Sequence, residues 1–378
     1  MRKAISFCLL ITILIIILSG ISGCNYRTQK NIPEEIKIGL IADLTGPLAI
    51  YGQWVLNGIQ IAMHELKEAD WINNKTFSLI IEDSQTDPKS AVNAMSKLVN
   101  IDKVKLIISG NGSSSVMGMA PIANNKRVIL FVTVASSPSI TSAGDYVFRN
   151  RISGLLEITE MAKLITEKFN LTKVAVAVLD NEAGHAYIKA FTDTFIKYRG
   201  KVLKSVLLAT GESDFRSQVA QLKEVQPEAI FYAGPVKEGG YLIKQATEIG
   251  LKTKWLSISP IQSEILFEIA GDAAEGLIFA TEEVEQNNPK YLEFEKKYQE
   301  RYGELPTIYS VNGYDAIKLL SYIIEKEGYN PDKIKDVLYS LKDYIGAGGV
   351  LKFDSNGDVL KQLKLKIVKN RTFEILHE

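Results

Sequence analysis

The sequence predicts an α/β fold built on parallel β-sheets. Nine apolar runs, each of about five to eight residues and rich in Val, Ile and Leu, alternate with longer segments of helical periodicity. The alternation runs twice, from Ile36 to Arg149 and from Lys173 to Ala280. Two doubly wound parallel sheets are therefore expected. A chain of 378 residues is long enough for two domains of ordinary size.

The strands and helices can be assigned in order along the chain. The predicted strands are Ile36–Ala42, Phe77–Glu82, Val104–Ser109, Val128–Thr133, Lys173–Leu179, Val202–Ala209, Ala229–Ala233, Lys254–Ile258 and Gly276–Ala280. Asp87 followed by Pro88 is a typical helix start, because aspartate caps free amide groups and proline fits the first turn. Asp214 opens another helix in the same way.

The alternation stops near residue 281. Three successive helices are predicted there, over Pro289–Arg301, Thr307–Glu327 and Pro331–Leu341. A hairpin-like tail of Leu351–Phe353 and Leu363–Val368 follows. The turn between them, Asp354–Asp358, lacks the spacing of a calcium loop and is interpreted as a hairpin turn.

The first residues predict export from the cytoplasm. Residues 1–23 combine Arg2 and Lys3, a run of about 14 apolar residues and small residues before Cys24, which is the pattern of a signal peptide. The cysteine and the residues before it resemble a bacterial lipobox. Cleavage before Cys24 and lipidation of its thiol would leave residues 24–35 as a tether to the membrane. The alternative is an uncleaved membrane anchor, for which the apolar run is short.

Composition excludes several classes of function. The chain has 44 basic and 44 acidic residues and no basic block, so no nucleic-acid partner is expected. Its two cysteines, Cys8 and Cys24, leave no disulfide in the mature chain. The histidines His64, His185 and His377 lie far apart, so neither a metal nor a cofactor is predicted. The charge run 282–285 is interpreted as a solvated face.

Three segments at predicted strand ends could hold a ligand, because ligands of parallel sheets bind beyond the carboxyl ends of the strands. Gly110–Ser115 offers hydroxyl groups and a helix start, which suits a small anion such as a carboxylate. Thr133–Pro138 offers small polar residues, and Leu44–Pro47 is followed by Tyr51. The alternative is a plain N-cap with a turn for the first segment and an ordinary strand-to-helix turn for the second. For Tyr51 it is an aromatic ring packed over the helix start. A dinucleotide site at Gly110 is disfavoured because Ser115 stands where the third glycine belongs.

The order and spacing of several motifs carry a family resemblance. These motifs are Leu44–Pro47 with Tyr51-Gly52, Asp87-Pro88-Lys89, Gly112–Ser115, Ala135–Pro138 and Ile269–Leu277. With them the chain resembles the type I periplasmic binding proteins, specifically the leucine/isoleucine/valine-binding branch of ABC importers. The resemblance covers Ile36 to about Val368.

That resemblance implies two α/β lobes joined by three crossing strands, with a ligand cleft between them. Lobe 1 would comprise 36–152 and 282–345, and lobe 2 would comprise 153–281 and 346–378. The three late helices would then complete lobe 1. Some relatives carry a disulfide that ties the loop after the second strand to the serine loop, Gly110–Ser115. This chain has Thr86 and Gly112 where those cysteines would lie.

The resemblance also implies which residues bind the ligand. In relatives that bind amino acids, lobe 1 holds the α-carboxylate and the α-ammonium, and lobe 2 adds aromatic residues and an acid. At the lobe 2 positions this chain has Ala183, Pro235 and Ser259, so the acid is missing, and Glu182 is a candidate substitute. The predicted ligand-binding residues are Tyr51, Ser113, Ser114, Val134, Ala135, Ser136, Glu182, Pro235 and Ser259.

The expected function is therefore that of a lipid-anchored substrate-binding protein for an ABC permease. Its ligand would be a small amino acid of the branched-chain type or a related carboxylate or amide. A sensory module that uses the same fold to dock on a membrane receptor is the alternative. An enzyme is not expected, because the chain has no nucleophile elbow and no free thiol after processing.

Overall fold

A computed structural model of the chain describes residues 33–69 and 75–377. The predicted signal peptide, the lipidation site Cys24 and residues 24–32 of the predicted tether lie outside these described residues. Within them, no helix has both the length and the apolar character that crossing a bilayer requires.

The first β-sheet is entirely parallel. Its strands are β1 (Glu35–Ala42), β2 (Thr76–Asp83), β3 (Leu106–Gly110), β4 (Ile129–Val132) and β5 (Val147–Arg149), in the spatial order β2-β1-β3-β4-β5. Every residue of β3 and β4 is buried, because helices cover both faces of the sheet.

The second β-sheet contains the repeat of the same pattern. Its strands are β6 (Lys173–Leu179), β7 (Lys201–Leu208), β8 (Ala229–Ala233), β9 (Lys254–Ile258), β10 (Ile278–Glu282), β13 (Leu363–Lys369) and β14 (Thr372–Ile375). The order is β14-β13-β10-β9-β8-β6-β7, in which β13 and β14 are antiparallel to their neighbours. All nine predicted strands are confirmed, with ends within about two residues of the prediction.

Helices connect the strands and complete the two lobes, each defined here as one sheet with the helices packed on it. They are α1 (Ala49–Glu68), α2 (Pro88–Asn100), α3 (Ser113–Lys126), α4 (Gly154–Lys163), α5 (Glu182–Lys197), α6 (Arg216–Glu224), α7 (Val236–Glu248), α8 (Ile265–Ala270), α9 (Pro289–Tyr302), α10 (Ile308–Glu327) and α11 (Pro331–Ser340). The predicted cap is confirmed, since the carboxylate of Asp87 accepts the Ser90 amide at 2.8 Å. The three late helices are confirmed as α9, α10 and α11.

The predicted pairing of the tail is wrong. β12 (Gly349–Leu351) pairs with β11 (Tyr344–Gly346), and β13 joins the second sheet beside β10. The reason is the buried carboxylate of Asp315 on α10, which accepts the amides of Ala347 and Gly348 and holds this segment on the first lobe. The turn itself is a hairpin turn, closed by a bridge between Phe353 and Val359.

The contacts of the tail also indicate where the chain returns to lobe 2. The ring of Phe353 packs edge-on against Phe131 and Phe148 of the first lobe, and Asp358 pairs with buried Arg149. These contacts hold the chain on the first lobe as far as Val359. We therefore propose that the third crossing between the lobes follows Val359, and that lobe 2 resumes there rather than at residue 346.

Two glycines let α1 and α10 pack in direct backbone contact. A Cβ added at Gly58 would lie 1.9 Å from the carbonyl oxygen of Ser310, and one added at Gly313 would lie 2.5 Å from the carbonyl oxygen of Val55. Backbone atoms cannot rotate out of the way, so any side chain at these positions must push the two helices apart. The helix that carries Tyr51 is thereby fixed on the late helices.

Gly58→Ala should destabilise the protein by about 3 kcal/mol or more, because the helix pair must separate. Gly118→Ala on α3 is the matched control. Its Cβ would lie 3.0 Å from a methyl group of Val92, which can move, and alanine stabilises a helix interior by about 1 kcal/mol over glycine. Chemical unfolding followed by circular dichroism measures both variants. Equal unfolding midpoints would contradict the proposed close packing.

Candidate functional site

A cavity of about 270 Å³ lies between the two lobes. The residues that line it follow the carboxyl ends of strands in both sheets, among them Asp43 after β1, Gly112 after β3 and Val134 after β4. From the second sheet come Leu179 at the end of β6 and Ala233 at the end of β8. The cavity therefore occupies the place where parallel sheets bind ligands.

Most of the predicted binding residues meet at this cavity. Those that line it are Tyr51, Ser113, Ser114, Val134, Ala135, Ser136 and Pro235. Glu182 and Ser259 do not line it. Glu182 is the first residue of α5 and is half-buried, and Ser259 lies in a separate buried cluster that is described below.

The serine loop is held by Asp43. The carboxylate of Asp43 accepts the amide of Gly112 at 3.0 Å and the hydroxyl of Ser84 at 2.6 Å, and the side-chain amide of Asn111 adds a third bond at 3.2 Å. Burial raises the pKa of Asp43, and these hydrogen bonds offset part of that shift. Gly112, the N-cap of α3, has no side chain that could accept hydrogen bonds from the first amides of that helix. These amides therefore lie at the cavity wall without a side-chain cap.

A hydroxyl pair joins the lobes on one side of the cavity. The Ser136 hydroxyl lies 2.7 Å from the Tyr187 hydroxyl of α5, and both residues are buried. Burial raises the pKa of Tyr187 to about 12, so the phenol stays protonated and can donate. Tyr187 was missed by the sequence prediction, which placed the aromatic position at Ala183. It lies one helical turn after Ala183, and that spacing could have revealed it.

Tyr51 joins the lobes on the other side. Its hydroxyl donates to the carbonyl of Pro260 at 3.0 Å and accepts the amide of Val236 at 2.9 Å. Val236 is the first residue of α7, whose N-cap, Pro235, supplies no side-chain hydrogen bond. A side chain of lobe 1 therefore caps a helix of lobe 2. The ring of Tyr51 packs edge-on against Tyr309, with 5.0 Å between ring centroids.

A buried charge cluster lies apart from the cavity lining, around Arg151. One end of its guanidinium, Nη2, lies 3.2 Å from Glu157, and Nη1 lies 3.2 Å from Glu282. Glu282 also pairs with Lys361 at 2.9 Å. Burial alone would lower the pKa of Arg151, but the two carboxylates raise it above its ordinary value.

Two expectations are corrected by this cluster. Ser259 does not line the cavity, because its amide and hydroxyl donate to Glu157 and its hydroxyl accepts from Arg151. Glu282 is only 4% exposed, so the charge run that begins there is not wholly solvated. Sequence reasoning could not find this cluster. Arg151 and Glu157 are close in sequence, but Ser259, Glu282 and Lys361 lie far from them along the chain and meet them only where the chain crosses between lobes.

The electrostatic field in the cavity favours an anion. The N-caps of α1, α3, α5 and α7 (Leu48, Gly112, Asn181 and Pro235) all line it, as does Pro88, the first residue of α2. Each helix N-terminus carries a partial positive charge and free amide groups. Asp43 is the one acid among the described lining residues. The described part of the chain contains no cluster of His, Cys, Asp and Glu that could hold a metal ion.

Comparison with known proteins decides the family. The family described as "Periplasmic binding protein" matches residues 35–363, which is most of the chain. The chain belongs to the periplasmic binding protein family. Members are solute-binding proteins that act outside the cytoplasm and are not enzymes, so the expectation of a non-enzyme is confirmed.

Relatives place this periplasmic binding protein in the predicted branch. It is 27% identical over 328 residues to a leucine-, isoleucine-, valine-, threonine- and alanine-binding protein of Pseudomonas aeruginosa, covering 86% of this chain and 87% of that one. It is 29% identical over 262 residues to the Leu/Ile/Val-binding protein of Escherichia coli K12, covering 68% and 71%. The crystal structure of a leucine-binding protein from Thermotoga maritima superposes with a TM-score of 0.83 at 27% identity, covering 90% and 98%. The predicted type I fold and branch are confirmed.

Tyr51→Phe should favour the open form of this binding protein. The variant loses both hydrogen bonds of the phenol to lobe 2, each worth about 1 kcal/mol net, which corresponds to a roughly 30-fold change in the open-to-closed ratio. Small-angle X-ray scattering should show a larger radius of gyration for the ligand-free variant. The control is Tyr339→Phe, whose hydroxyl donates to the Asp145 carbonyl at 3.2 Å within lobe 1. Identical scattering from all three proteins would contradict the bridging role.

Proposed function

We propose that this protein is the substrate-binding component of an ABC importer and delivers a small carboxylate-bearing solute to the permease. The solute would be a small amino acid of the branched-chain type or a related carboxylate or amide. The observation that carries the proposal is the cavity between the lobes, with the serine loop at the start of α3 on its wall. The amino-acid-binding relatives named above support the same class of solute.

Carboxylate capture would take place on lobe 1. The first turn of α3 offers amide groups and the hydroxyls of Ser113 and Ser114, and the hydroxyl of Ser136 lies on the same wall. A carboxylate at a helix N-terminus is stabilised by both the amides and the helix dipole. Ser114 supports this role, because its hydroxyl is buried without a hydrogen-bond partner in the described structure. Val134 and Ala135 would add backbone groups.

Release and delivery would depend on lobe closure. A ligand bound to lobe 1 alone would not shift the equilibrium between open and closed forms, because those contacts exist in both forms. Pro235, Ala183 and Tyr187 line the cavity from lobe 2, so a bound solute would gain contacts only on closure. Closure would then mark the loaded protein for the permease.

Ser113→Ala and Ser136→Ala should each weaken ligand binding about tenfold while leaving the fold intact, as circular dichroism would show. Some loss of melting temperature is expected, because the Ser113 hydroxyl accepts the Ser137 amide and the Ser136 hydroxyl pairs with Tyr187. Each variant removes one hydroxyl donor to a charged group, worth about 1.5 kcal/mol. Isothermal titration with the ligand found by a thermal-shift screen of amino acids, carboxylic acids and amides measures the affinity. The control is Ser142→Ala, an exposed serine of the neighbouring turn. Unchanged affinity in both site variants would refute the site.

The second part of the proposal is a lipid anchor on Cys24, with residues 1–23 removed. Mass spectrometry should find a chain that begins at residue 24 and carries diacylglycerol, and a clickable palmitate analogue should label it. Cys24→Ser should abolish the label. A full-length, unlabelled wild-type chain in the membrane would instead support the uncleaved anchor.

A further inference from the structure

The ligand class can be narrowed further, on the condition that the proposed function holds. We infer that the cleft selects a monocarboxylate with a branched or cyclic apolar body and without an ammonium group, and that it discriminates against α-amino acids. The inference rests on what already occupies Asp43 and the acids of the Arg151 cluster. Glu182 has a buried carboxylate oxygen without a hydrogen-bond partner, but Glu182 does not line the cavity.

The acid in the lining is not available to a cation. Asp43 is 2% exposed, and its two oxygens already accept three hydrogen bonds, from Ser84, Asn111 and Gly112. Those bonds fix the serine loop. An ammonium group could reach this carboxylate only by displacing the loop that is proposed to hold the ligand's own carboxylate.

A second buried acid, Glu157 of lobe 2, is also engaged. Glu157 is fully buried and lies against Arg151, and it accepts the amide and hydroxyl of Ser259. The cluster contains two carboxylates, Glu157 and Glu282, and two cations, Arg151 and Lys361. Its formal charge is therefore balanced internally, and none of its members lines the cavity. It offers no net negative charge to a ligand.

The remaining lining is unfavourable to a cation and favourable to an apolar body. Helix N-termini at the wall place partial positive charge toward the cavity, which repels an ammonium group. A buried cation without a counter-charge is strongly destabilised. Leu48, Leu179, Ala233 and Pro260 line much of the rest. The cavity, at about 270 Å³, is larger than the roughly 150 Å³ cavity that accommodates benzene in another protein, so a ring or branched chain fits.

A matched ligand pair tests the inference directly. Leucine and 4-methylpentanoate share the carboxylate and the carbon skeleton, and differ only by the ammonium group. Isothermal titration of the full chain in detergent should show 4-methylpentanoate binding at least about 100-fold more tightly than leucine. A substitution that supplies an acid, Ala183→Asp in the first turn of α5, should shift that ratio at least tenfold toward leucine.

The outcomes of this titration distinguish failure of the inference from failure of the proposed function. If leucine binds as tightly as 4-methylpentanoate or more tightly, the inference is overturned while the proposed function stands. If neither compound binds and no other carboxylate in the screen does, carboxylate capture fails, and the inference falls with it. Preference for 4-methylpentanoate together with a shift toward leucine in Ala183→Asp supports both.

Discussion

The buried guanidinium of Arg151 is the constraint on which the two-lobed structure depends. Arg151 lies on the first crossing, just after β5, and Glu282 lies at the end of β10, where the second crossing begins. Lys361 lies on the proposed third crossing, just before β13. Because a buried charge is tolerated only when it is paired, each crossing holds the others in place. The hinge is therefore a neutral, internally paired cluster and not a set of independent linkers.

The same pairing determines what the cleft has left to offer a ligand. Arg151 holds Glu157, and Glu157 holds Ser259, so the lobe 2 position at which relatives are expected to carry a free acid is part of the hinge. What remains at the cavity are helix N-termini, hydroxyl groups and apolar side chains. Tyr51 and Tyr187 add hydrogen bonds between the lobes that do not involve a charged group.

Local sequence patterns predicted most of the fold and part of the candidate site. Parallel strands are short apolar runs, so their positions were predictable, and the serine loops were predictable because they follow those runs. The partner of Gly349–Leu351 was not predictable, because it is set by buried Asp315, far away along the chain. The Arg151 cluster was missed for the same reason, because its contacts come from packing where the chain passes between lobes. Tyr187 was also missed, although its position one helical turn after Ala183 was a usable signal.

A crystal structure of the protein with 4-methylpentanoate would test the central claim, that the two lobes close around a carboxylate held at the start of α3. The predicted result places the carboxylate within hydrogen-bond distance of Ser113 and Ser136, with the alkyl body against the lobe 2 wall near Pro235. Arg151 should still pair with Glu157 and Glu282. A ligand bound outside the cavity, or a carboxylate paired with Arg151 in place of Glu157, would contradict it.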